Sequence, residues 1–199
     1  MECGGHDRFG DAVADPHSRS IRSFYADWAG YNRRVGEALG RLSSADLALI
    51  VPAARGEGIG PWPIWAVAGH TMGSRVFWLC HVLGEPGAET TPFTDPGGFG
   101  WEDDLSVVRT ADEVAGAYAS TWMIVADARD RWTPALLEDE VRRGTSVFTR
   151  QSTLLRLINH EAYHAGEISS TLAANGRDPI DLWPSADWAA DAPRSLREG

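Results

Sequence analysis

Apolar residues recur at spacings of three and four in four separate stretches of this chain, the signature of helices that each bury one face. From about Ser20 to Leu42 the stripe is Ile21, Phe24, Trp28, Tyr31, Val35, Ala38 and Leu42. A second helix is predicted after Pro61-Trp62-Pro63, with Trp65, Ala68, Met72, Val76, Leu79 and Leu83 on its buried side and a stop at Gly84 ahead of Pro86. A third opens at Thr110, which with Glu113 makes a capping-box pattern, and runs through Val114, Ala117, Tyr118, Val125 and Ala128 to Trp132 before Pro134. The fourth spans about Arg150 to Asn175 and stops at Gly176, a residue suited to the left-handed position that closes a helix.

Strand signals are sparse. The best is Val141 to Phe148 around Gly144, either a short hairpin or an extended connection. Four long amphipathic segments predict an all-α fold, an up-down four-helix bundle over residues 18–185, with polar tails at 1–17 and 186–199. The stretch from Glu85 to Arg109 is rich in glycine and proline and too long for an ordinary bundle connection. It is expected to cross one end of the bundle, where it can cover a site.

With 199 residues and 43% hydrophobic content, the chain supports one substantial core, hence one domain. The net charge of −10 speaks against nucleic acid or an anionic membrane as partner, because both need a basic patch. Every basic side chain apart from histidine is arginine, which fits the coding bias of a high-GC bacterial genome. Met1 to Asp15 lacks the charged and apolar regions of a secretory signal, and no apolar run approaches membrane-spanning length. Two cysteines, Cys3 and Cys80, do not suggest a disulfide framework, so a cytoplasmic location is expected.

The chemistry lies in the fourth segment, at His160-Glu161-Ala162-Tyr163-His164. Histidines four apart on a helix sit about 40° apart around the axis and about 6 Å apart along it, so their ring nitrogens can converge on one ion. The spacing alone is weak evidence. Around the helix, His160 and His164 share a polar stripe with Thr153, Arg156, Glu167 and Thr171, whereas Glu161 falls about 100° away, among Leu154, Leu157, Ile158, Ala165, Ile168 and Leu172. A carboxylate there is costly unless it is paired or coordinated. Glu161 or Glu167 is a candidate acceptor for a ligand N–H or a proton shuttle; the bland alternative for each is a structural ion pair. For a third ligand the second helix offers His70 or His81, about 16 Å apart along the axis and so unable to bind the same ion. Spacing does not choose between them. His6 and His17 fall in the expected tail.

The same letters match the zinc metalloprotease motif, two histidines with a glutamate that activates water. That reading needs a further ligand downstream, and Glu167 stands where the longer form of the motif requires glycine. Asp178 and Asp181 follow the helix-ending Gly176 with no second helix to present them. Nine tryptophans, Trp62, Trp65, Trp78 and Trp101 among them, are read mainly as core.

Three blocks in order carry a family resemblance: Trp65-Ala66-Val67-Ala68-Gly69-His70 with Arg75, Trp78 and Val82-Leu83-Gly84; then Arg131-Trp132-Thr133-Pro134; then His160-Glu161-Ala162-Tyr163-His164-Ala165-Gly166-Glu167-Ile168-Ser169. From about Ser20 to Pro184 the chain resembles the DinB/YfiT-like metalloenzymes of the DinB superfamily. The resemblance implies a four-helix bundle, often a homodimer, that holds one divalent ion, Zn²⁺ or Ni²⁺, on His70, His160 and His164. It further implies a transferase or isomerase that uses a low-molecular-weight thiol such as mycothiol or bacillithiol, with a small-molecule electrophile as substrate. In that scheme Glu161 or Glu167 takes or guides the thiol proton. The alternatives are a metal-activated-water hydrolase and a non-catalytic metal-binding stress or interaction module.

Overall fold

The structure is a computed structural model, and residues 20–52, 61–98 and 100–183 are described. The expected tails, with Cys3, His6 and His17, lie outside those residues. Helix α1 (Ala26–Leu39) is preceded by a 3-10 turn, Ile21–Tyr25, so the first predicted helix is broken at Tyr25. Arg129 braces that break by donating to the carbonyls of Arg22 (3.1 Å) and Tyr25 (2.8 Å). Ser43 and Asp46 cap a one-turn helix, α2 (Ser44–Leu47). Two short strands, β1 (Ile50–Val51) and β2 (Trp62–Pro63), then pair antiparallel and lead into α3 (Ile64–Val76). At Phe77 the helix widens into a π-helical segment, Phe77–Val82, which Gly84 closes at φ +77°. Sequence periodicity of 3.6 does not reveal that widening, which shifts where Phe77 and Trp78 point.

The third predicted helix is α4 (Ala111–Arg131), opened by the Thr110–Glu113 capping box. The Val141–Phe148 region is a hairpin: β3 (Glu140–Arg143) pairs with β4 (Ser146–Thr149), and Gly144 takes φ +59° in the turn. The fourth predicted helix is α5 (Arg150–Ala174), capped by Thr149 and followed by Gly176 at φ +68°. Among the described residues no helix is long and apolar enough to cross a membrane.

The four long helices enclose two apolar clusters stacked end to end. One contains Val35, Leu39, Met72, Val114, Tyr118, Ala165, Ile168 and Leu172; the other contains Trp28, Val76, Leu79, Ile124, Val125, Leu154 and Leu157. Between them each helix contributes one buried polar residue: Asn32, Arg75, Thr121 and Glu161. The order in which each helix crosses that layer gives its direction. Helices α1 and α5 run from the second cluster to the first, and α3 and α4 run from the first to the second.

This corrects the expected up-down order, in which α4 would oppose α3. The two run parallel, so the Glu85–Arg109 stretch does not merely cross one end. It returns the chain along the molecule, with Ala88 packed on the second cluster and Trp101 in the first. Its start is held at Glu85, which accepts from the indole N–H of Trp132 at 2.9 Å and pairs with Arg131 at 2.5 Å.

Candidate metal centre

The buried polar layer fixes α3 against α5. Arg75 Nε donates to Glu161 Oε1 at 2.7 Å, and its Nη2 donates to Glu161 Oε2 at 3.0 Å and to Asn32 Oδ1 at 2.7 Å. Trp28 Nε1 donates to Glu161 Oε2 at 2.9 Å, and Tyr31 Oη donates to the Glu161 carbonyl at 3.2 Å. The fork-on-carboxylate geometry satisfies both oxygens in a place where an unpaired charge would be very costly. Glu161 is therefore corrected from a candidate proton shuttle to a structural partner of Arg75. The protease reading, which needs Glu161 beside the histidines, loses its base by the same observation.

One residue away, about 100° around the helix, His160 meets His164 and His70. His160 Nε2 lies 2.9 Å from His70 Nε2 and 3.2 Å from His164 Nε2. A ligand atom from each ring lies within 4.8 Å of the others. His81 stands in the π-helical segment, outside this group. The three rings also stack edge-on or tilted, with Trp62 against His70 at 5.1 Å between centroids and Tyr163 against His164 at 5.1 Å.

Two carboxylates hold the rings from behind. His164 Nδ1 donates to Glu167 Oε2 at 2.8 Å, and His70 Nδ1 donates to Glu102 Oε1. Glu167 thus joins the site as an orienting group. Glu102 was not anticipated. It lies on a 3-10 turn, Trp101–Asp103, in the returning segment, 32 positions from His70 and outside any periodic pattern. The one cue is Trp101, a large apolar residue in a polar, Gly/Pro-rich stretch, which marks where the segment docks. It packs so close to Gly69 that a Cβ on that glycine would lie 2.7 Å from the Trp101 Cβ.

An ionised carboxylate only accepts, so each of the His70 and His164 rings, when it carries a single proton, holds it on Nδ1 and keeps its lone pair on Nε2. Both lone pairs point at His160 Nε2, which can offer one proton to one of them at most. A cation resolves this conflict. With metal–nitrogen bonds of about 2.0–2.1 Å, ligand angles of 90–110° place nitrogens about 2.9–3.4 Å apart, the range of the two separations from His160 Nε2. Burial pushes His160 down to about 3, helped by the neighbouring His164, His70 and Arg156, and pushes His164 down to about 4, helped by His70. Both rings are thus neutral, ready to ligate, across the physiological range. The buried Oε2 of Glu102 and Oε1 of Glu167 have no hydrogen-bond partner among the described residues. Cys80, pushed up to about 11 chiefly by burial, is no nucleophile at neutral pH.

Fold and site together define a helical protein with a tri-histidine centre of the kind that holds a divalent ion, two of its rings backed by carboxylates. The chain belongs to the DinB superfamily, whose family model matches residues 32–168. Among solved structures it is similar to a DinB-like protein from Bacillus cereus, with a TM-score of 0.53 and 18% identity over 80% of this chain and 95% of that one. No curated protein matches.

Proposed function

We propose that the protein is a metal-dependent enzyme holding one divalent ion, Zn²⁺ or Ni²⁺, on His70, His160 and His164. The observation that carries the reading is the convergence of three Nε2 atoms, two of them on rings whose other nitrogen is bound to a carboxylate. Three imidazoles leave positions open for a reactant, unlike a structural zinc closed by four protein ligands. A divalent ion there supplies Lewis acidity, lowering the pKa of a water or thiol that reaches it.

The chain's own residues do the rest. Glu102 and Glu167 fix ring orientation and raise the basicity of Nε2. Glu167, on the His164 edge, accepts the proton that a thiol releases. The reaction class is transfer or isomerisation with a low-molecular-weight thiol of the mycothiol or bacillithiol type. Its sulfur forms a bond to an electrophilic carbon of a small molecule as the leaving group departs with its bonding pair.

The test is elemental analysis of wild type, His70→Ala and His160→Ala, followed by turnover of electrophiles with and without thiol. One ion per chain in wild type, lost in both variants, and turnover only with thiol are expected. Turnover without thiol would instead mark a hydrolase. No retained ion in wild type would overturn the metal reading.

A further inference from the structure

The polar stripe of α5 does not end at His160. One turn earlier on it stands Arg156, about 6 Å along the axis from His160. Its guanidinium lies over the Trp78 ring, 4.8 Å from the centroid. The facing stripe of α3 continues from His70 through Ser74 to Phe77, where the π-helical widening begins. Phe77 and Trp78 meet edge to face at 5.4 Å, and Phe148 of β4 packs on Trp78 at 5.1 Å.

The β3–β4 hairpin adds a second guanidinium. Val141 opposes Phe148 and Arg143 opposes Ser146, so these four side chains share the hairpin face that packs on the helices. Arg143 lies 4.6 Å from the centroid of the Phe77 ring. Both arginines are exposed, and among the described residues neither makes an ion pair. Eight other arginines, Arg22, Arg33, Arg75, Arg109, Arg131, Arg142, Arg150 and Arg177, are ion-paired in a chain of net charge −10, whereas Arg129 donates to backbone carbonyls and Arg41 makes no ion pair among the described residues. Thr153, buried on the same stripe of α5, has a hydroxyl with no partner.

The surface that leads from the histidines along the polar stripe of α5 is therefore polarised. The carboxylates Glu102 and Glu167 each use one oxygen on a ring at the centre, Glu167 lying beyond His164 from Arg156. The other end presents two guanidiniums that make no ion pair among the described residues and lie over aromatic rings. Stacking removes much of the entropy cost of fixing an arginine and leaves its N–H edge free for a carboxylate.

We propose that Arg156 and Arg143 form an anion subsite, so that the molecule engaged at the metal centre is an organic acid whose carboxylate lies about one helical turn from the atom that meets the ion. This rests on the metal reading above and specifies its substrate class.

The test uses the full chain loaded with Co²⁺, whose visible bands report on what reaches the ion. 4-Mercaptobutyrate and its neutral amide are titrated at low salt. Tighter binding of the acid by about five- to tenfold is expected, as is erosion of that preference by added salt. Arg156→Ala should remove most of the preference and Arg143→Ala part of it, with unchanged metal content and unchanged affinity for the amide. Arg156→Lys should keep some of it.

Equal binding of acid and amide, a preference that survives both alanine variants, or no response to either thiol would overturn the subsite. If cobalt is bound and only the charge preference is missing, this proposal fails and the metal centre stands. If wild type takes up no cobalt, both fail.

Discussion

Arg75 and Glu161, 86 positions apart, meet with a 2.7 Å contact between Nε and Oε1 at 0% and 1% side-chain exposure. The pair ties α3 to α5 one residue from His160, so the histidine cluster that could hold an ion is built beside a buried ion-pair clamp. Breaking such a pair by removing one partner typically costs about 3–5 kcal/mol, because the other charge is left buried and unpaired. Glu161→Ala and Arg75→Ala should each destabilise by that amount in urea unfolding. The double variant Arg75→Met/Glu161→Leu should recover much of the loss. If each single substitution costs under about 1 kcal/mol, the pair does not clamp the helices.

Metal binding should raise stability, because the ligands come from two helices and are brought together only in the folded chain. At a free ion concentration of about 100 times the dissociation constant, the gain is about 2.7 kcal/mol. Thermal unfolding of chelator-treated protein, with and without added Zn²⁺, measures it. His164→Ala should abolish the gain while leaving the metal-free protein folded.

In the metal-free protein, acid should be destabilising well above the carboxylate range. The folded state holds His160 down at about 3 and His164 down at about 4, against an ordinary value near 6.5. Between those limits the unfolded chain binds protons that the folded one refuses, so stability rises with pH there and is fully present above about 6.5. Denaturation across pH 4 to 7 should show a steep loss on the acid side, and His160→Gln should flatten it. An unchanged slope in that variant would mean that His160 titrates normally.

How much of this was readable from the chain depends on the range of the interaction. Thr110 and Glu113, three apart, announce their helix through a local capping box, and Thr149 and Gly176 bracket the last one through equally local geometry. The misfit of Glu161 in an apolar stripe was visible, but its partner Arg75 lies on another helix and needs tertiary packing to be recognised. Helix periodicity carries no direction, so the parallel course of α3 and α4 was not encoded in their stripes. The length of the Glu85–Arg109 stretch was the available hint, since a chain returning past a helix of about 30 Å must be long.

Glu102→Ala should weaken metal affinity by about 10- to 100-fold, the usual effect of losing a group that orients a ligand ring. Glu102→Gln, which can still accept from Nδ1, should lose less. Competition with a chelator of known affinity reads both. Equal affinity in Glu102→Ala and wild type would mean that the His70–Glu102 contact contributes nothing to holding the ion.

The same contact can be broken from a distance. Gly69 sits inside α3, where alanine would ordinarily stabilise the helix by about 0.8–1 kcal/mol. Here the new Cβ would lie 2.7 Å from Cβ and 2.9 Å from Cγ of Trp101, next to Glu102. The ring root is not a flexible tip, so the Trp101–Asp103 turn must shift, and the carboxylate must shift with it. Gly69→Ala should therefore lower metal affinity toward the Glu102→Ala value although it alters no ligand, and adding Glu102→Ala to it should cost little more. Gly116→Ala is the control: that glycine lies in exposed helix with nothing within 4 Å of the added carbon. It should gain up to about 1 kcal/mol of stability and leave metal affinity unchanged. If Gly69→Ala behaves like Gly116→Ala, the returning segment does not set the position of His70. Additive losses in the Gly69→Ala/Glu102→Ala pair would instead show that the segment acts on the site by a route other than Glu102.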